Sequence, residues 1–260
     1  MTAARPDPEA PPDANAVETR ALSVRYGGSG GLLALDRVDL QVRAGSFHAI
    51  LGPSGCGKST LLKVLAGLIR ASGGEWQIVG GNRPAYQPQG NSCFPWLTAE
   101  DNVAYGLWVR GTPRGQRKAV ARSLLASLGL AEFARRYPGQ LSEGMRQRVA
   151  IARTFAVDAP VLLMDEPLSA LDFQTKVHVQ GELLQLWAER RATVVYVTHD
   201  IDEALTLADR VTMFSARPGR VLATIEVPFS RPRSYREVRE QPGYAAAFHQ
   251  LFELLEGSAG

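Results

Sequence analysis

The sequence predicts an α/β protein with three parts: a mostly parallel sheet covered by helices, an N-terminal antiparallel β subdomain, and an inserted α-helical subdomain. Three observations support this fold class. Two stretches near the N-terminus alternate apolar and polar residues. After residue 46, short apolar stretches alternate with helical patterns. This alternation is interrupted by a long segment that has helical patterns alone. No internal repeat stands out in the chain.

The N-terminal region contains a tail and two strands. Residues 1–18 are rich in Pro, Ala and Asp without periodicity, so we expect a disordered tail there. Residues 20–26 (RALSVRY) and 37–42 (RVDLQV) alternate apolar with polar side chains, as half-buried antiparallel strands do. The folded domain is therefore predicted to begin at residue 19.

The central and C-terminal regions alternate short apolar stretches with helical ones. The predicted strands are SFHAIL, VLLMD, TVVYVT and RVTMF, and the predicted helices are KSTLLKVLAGLI, DFQTKVHVQGELLQLWAERR and DIDEALTLA. This order is typical of a parallel sheet with helices on its faces. Residues 91–158 are predicted to form the helical insertion, the main domain to end at residue 229, and residues 230–260 to form a C-terminal extension. That extension should end in an amphipathic helix whose apolar face contains Tyr244, Phe248, Leu251 and Leu255.

Composition excludes several classes of protein. With 260 residues, 45% hydrophobic and 21% charged, the chain can bury a core and is neither fibrous nor wholly disordered. The net charge of +3 is spread along the chain, so we expect no nucleic-acid partner, and the arginines of residues 231–239 are expected to form a solvated face. The two cysteines and four histidines lack disulfide or zinc spacing, which favours a reducing, cytosolic setting. No apolar run suggests a membrane span, so a membrane role is expected to come through a partner.

The strongest chemical signal is a glycine-rich loop between an apolar strand and a helix. It matches the pattern G-x-x-x-x-G-K-[ST], in which backbone N–H groups and the positive end of the following helix surround phosphate oxygens. Lys58 is expected to reach the β and γ phosphates, and the Ser59 hydroxyl to bind Mg²⁺. The predicted phosphate-binding residues are Gly52, Pro53, Ser54, Gly55, Cys56, Gly57, Lys58, Ser59 and Thr60.

Polar residues follow two further predicted strands. Asp165 and Glu166 come at the end of VLLMD, at the sheet edge where such folds bind ligands. Asp165 is expected to hold Mg²⁺ and Glu166 to orient or deprotonate the attacking water. His199 follows TVVYVT and is predicted to reach the γ-phosphate, although a lone histidine at a strand end is often structural.

These motifs, together with residues 141–145 (LSEGM), 169–172 (SALD) and 198–200 (THD), resemble in order the nucleotide-binding subunit of an ATP-binding cassette (ABC) transporter. The resemblance covers residues 20–227 approximately. It implies the ABC-type P-loop NTPase fold and a head-to-tail homodimer, or a pair with a second ABC subunit, that holds two ATP molecules with Mg²⁺. It also implies that Ser142 caps a helix whose tip, with Gly144, receives the γ-phosphate bound by the partner.

Glu143 departs from the common family turn, Leu-Ser-Gly-Gly-Gln. Since a carboxylate near triphosphate is repelled, we expect it to point away from the nucleotide. At the first helical position it would gain from the helix dipole and could pair with Arg146. Tuning of ATP affinity is the alternative.

The resemblance assigns two more site residues. Tyr26 occupies the position whose ring stacks on adenine, with a core tyrosine as the alternative reading. Gln89 fits the glutamine that touches Mg²⁺ and links the sheet to the helical insertion, with Gln87 as its competitor.

The loop after Gln89 is apolar, and Phe94, Trp96 and Leu97 are candidate docking residues for a membrane subunit. Three sequence stretches, FPWLTAEDNVAYGL, FSARPGRV and the C-terminal residues, resemble the importer branch for nitrate, sulfonate and taurine-like solutes. That branch implies an integral membrane permease partner, an indirect periplasmic-type or lipoprotein solute-binding protein, and a peripheral place on the cytoplasmic face of the inner membrane.

The predicted function is thus an ATPase that powers an importer. Two alternatives share the fold: an ATPase that signals to a membrane complex without solute transfer, and a cytosolic cassette that acts on nucleic acid or ribosomes. The second would need a coiled-coil insertion or a tandem cassette, which this sequence lacks. A small-molecule kinase is disfavoured because it has no use for LSEGM and SALD.

Overall fold

The computed structural model describes residues 14–28, 30–81, 83–90 and 92–257. The strands are β1 (Asn15–Tyr26), β2 (Leu32–Arg43), β3 (Phe47–Leu51), β4 (Gly73–Ile78), β5 (Ala85–Gln87), β6 (Val161–Asp165), β7 (Thr193–Thr198), β8 (Arg210–Phe214) and β9 (Val221–Glu226). The helices are α1 (Lys58–Leu65), α2 (Ala99–Val109), α3 (Arg114–Ser127), α4 (Glu143–Ala156), α5 (Phe173–Arg190), α6 (Ile201–Leu207), α7 (Tyr235–Glu240) and α8 (Tyr244–Gly257).

Three strands form an antiparallel sheet in the order β2-β1-β4, which confirms the predicted N-terminal β subdomain. The prediction that the tail extends to residue 18 is wrong, because β1 begins at Asn15. Val17 is fully buried and pairs with Val42 on one side and Ile78 on the other, so apolar burial draws these residues into the sheet. Residues 1–13 of the predicted tail lie outside the described residues.

The second sheet has the order β5-β6-β7-β3-β8-β9. Its first five strands are parallel, and β9 pairs with β8 in the antiparallel direction. The four apolar stretches predicted as parallel strands are confirmed. Strands β4, β5 and β9 were not predicted: β4 is largely exposed and β5 has three residues, whereas β9 alternates apolar and polar residues after the turn signal Pro218-Gly219 and could have been recognised.

The parallel sheet is buried on both faces. Phe47, Ala49 and Leu51 of β3 face a core that includes helices α2 to α6, whereas Ile50 faces a second core shared with α1 and the antiparallel sheet. Such double burial accounts for the continuous apolar strands that the sequence shows. It also leaves the strand ends, rather than the faces, available for a site.

The described part of residues 92–158 contains helices and turns and no strand. Helices α2, α3 and α4 pack against one another there. The division into domains remains a prediction. In the described parts of the chain, no helix is both long enough and apolar enough to cross a membrane.

The C-terminal residues pack on α5 and α6. The predicted amphipathic helix corresponds to α8, where Leu251 is buried. The expected solvated arginine face is wrong in part. Arg233 exposes 3% of its side chain and donates to Ala208 O, and the Arg231 guanidinium lies 4.2 Å from the Trp187 ring centroid. Both arginines also form ion pairs with Asp209, which follows the end of α6. These contacts hold the C-terminal extension against the core.

Candidate active site

The carboxyl ends of four parallel strands meet at one edge of the second sheet, as expected for ligand sites in such folds. There β3 leads into the glycine loop, β5 precedes Gln89, β6 leads into Glu166, and β7 leads into His199. A cleft of about 350 Å³ opens at this edge. Besides residues of the glycine loop, its walls include Tyr26, Leu32, Ala34, Gln89, Glu166 and Arg217.

The glycine loop leaves backbone donors free at the start of α1. Gly57 has φ of 107° and ends the loop without a side-chain cap on the helix. A Cβ at this position would lie 2.6 Å from Leu35 Cδ2 and 2.7 Å from Ala34 O. Any other residue would therefore clash with β2 and would also be strained by the positive φ. The first N–H groups of α1 therefore face the cleft without a side-chain acceptor, which suits an anion.

Lys58 is the cation of this loop, and it is 4% exposed. Its ammonium donates to Gly52 O at 2.7 Å and to Pro53 O at 2.8 Å. These carbonyls keep the charge hydrogen-bonded in the free protein, since a buried unpaired ammonium would be costly. Phosphate oxygens that enter the cleft offer the same ammonium a stronger, charged partner.

Two of the three residues predicted to bind Mg²⁺, Ser59 and Asp165, are in contact, whereas the third, Gln89, contacts Glu166. Ser59 Oγ donates to Asp165 Oδ1 at 2.8 Å, and Tyr86 Oη donates to Asp165 Oδ2 at 3.3 Å. Burial raises the pKa of the Asp165 carboxyl above its usual range, and these two hydrogen bonds offset part of the rise. A buried carboxylate beside a hydroxyl fits a hard divalent cation, which would compensate its desolvation.

Glu166 has a backbone conformation that is rare for a side-chain-bearing residue, with φ of 45°. Its N–H donates to Val197 O at 3.1 Å, and its carbonyl accepts the Ser169 hydroxyl at 3.0 Å. The side chain, 14% exposed, lies 3.3 Å from Gln89 Nε2 and 3.3 Å from His199 Nδ1. The strain places one carboxylate between an amide and an imidazole at the mouth of the cleft.

The two glutamines compared in the sequence analysis lie in different environments. Gln89 lines the cleft and donates to Glu166, whereas Gln87 is 1% exposed within β5 and accepts the Thr154 hydroxyl at 3.4 Å. The buried position leaves Gln87 no access to the cleft. This contrast favours Gln89 as the site residue.

Tyr26 lies at the other end of the cleft, at the end of β1. It is 43% exposed, and its hydroxyl lies 3.3 Å from Thr60 Oγ1. An exposed ring beside the glycine loop is not a core tyrosine. It offers a flat apolar face on which a base can stack.

The LSEGM turn begins α4. Ser142 accepts the Met145 N–H at 3.3 Å and so caps the helix, and Glu143 occupies the first helical position. The Glu143 carboxylate forms an ion pair with Arg146, which also donates to Leu141 O at 2.7 Å. In the described part of this chain, neither Ser142 nor Gly144 lines the cleft, so one chain does not close the predicted site by itself.

The start of α4 also contacts the segment that follows Glu166. Gln147, 1% exposed, donates through Nε2 to Pro167 O, and a Cβ at Gly144 would lie 2.8 Å from Thr175 Cγ2. The turn and the Glu166 segment are thus held together within one chain. Gln147 was not predicted, because a polar residue in a helix gives no local sign of a distant carbonyl partner.

Two further residues of the site were not predicted. Tyr86 reaches Asp165 because β5 pairs with β6, with Tyr86 opposite Leu163. Arg217 lies on the cleft wall because the loop between β8 and β9 packs against β2. Recognition of β5 and β9 as strands would have been needed to find them.

The fold and the cleft agree with comparisons to known proteins. The profile of the ABC transporter family matches residues 35–169, so the chain belongs to that family, and it is an ATPase. It is 45% identical over 240 residues to the taurine import ATP-binding protein TauB of Chromobacterium violaceum, covering 88% of this chain and 92% of that protein. It is 40% identical over 249 residues to the bicarbonate transport ATP-binding protein CmpC of Synechococcus elongatus, and the match covers 92% of this chain and 38% of that protein.

A solved structure supports the same conclusion. The dimeric post-hydrolysis state of the ATP-binding cassette MJ0796, bound to ADP and Pi, is 31% identical and superposes with a TM-score of 0.72. The match covers 82% of this chain and 100% of that one. The predicted resemblance to ABC ATP-binding subunits is confirmed.

Proposed function

We propose that this chain is the ATP-hydrolysing subunit of an importer, which couples ATP binding, closure of a dimer and hydrolysis to solute uptake. The carrying observation is the cleft that brings the glycine loop, Asp165 and Glu166 to one sheet edge beside Tyr26. The similarity to proteins named for taurine import and bicarbonate transport supports the importer assignment.

The residue roles follow from the site chemistry. Tyr26 stacks on adenine, Lys58 binds the β and γ phosphates, and the loop N–H groups surround them. Ser59, Gln89 and Asp165 would hold Mg²⁺, which neutralises phosphate charge when it is bound. The loop, Ser59, Gln89 and Asp165 lie at one edge of the second sheet, and Tyr26 lies at the end of β1 on the same cleft.

Glu166 is the proposed general base. A carboxylate that accepts from Gln89 and lies beside the His199 imidazole is oriented by both neighbours. It can accept a proton from a water directed at the γ-phosphate, while His199 stabilises charge on the phosphate oxygens. The strained backbone at Glu166 fixes this orientation before substrate arrives.

The site is proposed to be completed by a second copy, or by a paired ABC subunit, that faces it head to tail. Ser142 and Gly144 lie at the capped tip of α4, away from the cleft of their own chain. A helix tip of this kind binds an anion presented by another chain. The dimeric state of the structural relative supports this arrangement.

The proposed contact with a permease is an aromatic surface on the helical segment. Trp96 and Trp108 are 70% and 57% exposed, and the Phe94 ring lies 4.6 Å from that of Tyr105 and 5.6 Å from that of Trp96. Trp96, Leu97 and Trp108 also line a groove of about 330 Å³. Exposed tryptophans beside a groove are typical of protein docking sites. The chain would then lie peripherally at the cytoplasmic face of the inner membrane.

The proposed solute is a small anion of the nitrate, sulfonate or taurine kind. This assignment depends on the named relatives, because the solute is bound by other subunits. The solute-binding protein, periplasmic-type or a lipoprotein, would act on this chain only through the permease.

The test is to purify the tagged chain from its native membrane and identify what accompanies it. We expect a multispan permease together with ATPase activity that the solute and its binding protein stimulate. Glu166→Gln should retain nucleotide binding and lose at least about 100-fold in turnover. Full turnover by this variant would remove Glu166 from its role, and a chain that purifies without any permease would contradict the importer assignment.

A further inference from the structure

A second cation, Arg217, lies on the cleft wall with Tyr26, Leu32 and Ala34. It belongs to the loop between β8 and β9 and is exposed. Within the described ranges, its guanidinium has no hydrogen bond or ion pair with another residue. The five N–H donors of this guanidinium are therefore available to a ligand that enters the cleft.

The loop that carries Arg217 is fixed on both sides. The Gly219 N–H donates to Ala34 O at 2.9 Å, and Gly219 O accepts the Asp36 N–H at 3.0 Å. A Cβ at Gly219 would lie 2.1 Å from Cys56 O, so the loop lies directly against the backbone of the glycine loop. The position of Arg217 is therefore set by backbone contacts and not by its own side chain.

A neighbouring arginine in the same loop, Arg220, has a protein partner. Arg220 donates through Nε to Asp36 Oδ2 at 2.9 Å and so ties the loop to β2. The cleft carboxylate, Glu166, already lies beside Gln89 and His199. Arg220 thus has a structural partner, and Arg217 is left to bind a ligand.

The place of Arg217 along the cleft indicates which part of a nucleotide it meets. Tyr26 pairs with Leu32 in the β1–β2 register, and Ala34 anchors the Arg217 loop. These residues form the base end of the cleft, whereas Glu166 marks the γ-phosphate end. Arginine suits phosphate and ribose oxygens because its planar fork donates to two acceptors at once.

We propose that Arg217 binds the ribose and α-phosphate portion that ATP and ADP share, and so retains the nucleotide at the base end of the cleft. This inference rests on the proposed nucleotide site. Arg217 contributes affinity for either nucleotide and does not distinguish the substrate from the product. Lysine keeps the charge of arginine but not its planar fork, so it is expected to replace Arg217 only in part.

The test is calorimetric titration of the full chain with Mg·ADP and with the non-hydrolysable analogue AMP-PNP. Arg217→Ala should weaken both nucleotides by the same factor, roughly three- to tenfold. Arg217→Lys should recover part of that loss. Arg70→Ala, which removes an exposed arginine outside the cleft lining, is the matched control for net charge and should leave both affinities unchanged.

The outcomes separate this inference from the function on which it rests. Unchanged affinities in Arg217→Ala, a loss confined to AMP-PNP, or an equal loss in Arg70→Ala would each overturn the role of Arg217. Wild-type protein that binds neither nucleotide would overturn the proposed nucleotide site itself. Thermal denaturation without nucleotide checks the fold: Arg217→Ala should match wild type, and Arg220→Ala should denature at a lower temperature.

Discussion

The glycine loop and the LSEGM turn both present the N-terminus of a helix, yet they differ in how that terminus is occupied. Helix α1 begins with the buried cation Lys58, has no acid in its first turn, and has no side-chain cap. Helix α4 begins with a side-chain cap from Ser142 and carries the acid Glu143 in its first turn. One terminus is open and positive, and the other is capped and partly neutralised.

This difference shows what each terminus can do alone. The loop before α1 has free N–H groups and a charged amine, so it can bind triphosphate without help. The α4 tip has fewer free donors and a carboxylate paired with Arg146, so we expect it to add only a weak contact to a phosphate held by another chain. Affinity is therefore expected to come from the first and closure from the second.

The largest effect should follow from removing the cation of α1. Lys58→Ala deletes two hydrogen bonds from a buried ammonium and its charge on phosphate, so nucleotide affinity should fall at least about 100-fold. Calorimetric titration measures this. Arg70→Ala, which removes an exposed cation outside the cleft lining, is the control and should bind as wild type. Retained binding in Lys58→Ala would place the phosphates elsewhere.

Low pH is expected to destabilise the fold next to α1, because β3, the strand before the glycine loop, carries a buried histidine. Burial, and next the charge of Arg210, lower the pKa of His48 from 6.5 to about 3. The unfolded chain therefore gains a proton below about pH 6.5 that the folded chain refuses, so stability present above that pH is lost as the pH falls towards 3. We expect a loss of up to about 1.4 kcal/mol per pH unit from this residue.

Denaturant unfolding at pH 7, 6 and 5 measures that slope. His48→Gln keeps an amide donor near Thr212, which lies 2.8 Å from His48 Nε2, and should show a shallower dependence. Equal slopes for both proteins would mean that other groups cause the acid sensitivity.

At the start of α4, Gly144→Ala should distinguish the packing of the turn against Thr175 from its proposed approach to a partner's nucleotide. The new Cβ would lie 2.8 Å from Thr175 Cγ2 and should cost about 1 kcal/mol of stability, which Thr175→Ser should restore by removing that methyl group. Turnover should stay low in the double variant if the turn also approaches a nucleotide held by a partner. Thermal denaturation and steady-state ATPase assays measure the two effects, and full recovery of turnover would assign the glycine to internal packing alone.

The smallest effect is expected at Glu143. Glu143→Gln removes an acid from the first turn of α4 and its pair with Arg146, which should cost about 0.5 kcal/mol of stability with little change in ATP-driven association. Denaturation and gel filtration with ATP measure both. If Glu143→Gly instead tightens association and leaves stability unchanged, the carboxylate tunes nucleotide affinity.

Sequence alone predicted the residues whose role depends on local order. The glycine loop, Glu166 and His199 each follow an apolar strand directly, and Asp165 ends one, so the strands place them at the sheet edge. The same logic applies to Ser142, whose hydroxyl caps the helix that begins one residue later.

Contacts set by distant pairing could not be predicted. Tyr86 reaches Asp165 only because the three-residue strand β5 joins β6, and Arg217 reaches the cleft only because its loop packs on β2. The Arg233 side chain is charged yet only 3% exposed, and it donates to Ala208 O. The left-handed backbone at Glu166 likewise depends on Val197, from another strand.

The hydrogen bond from Gln147 to Pro167 has a mechanical consequence. It joins the second turn of α4 to the residue after the proposed base. A displacement of α4 is therefore expected to move the segment that carries Glu166.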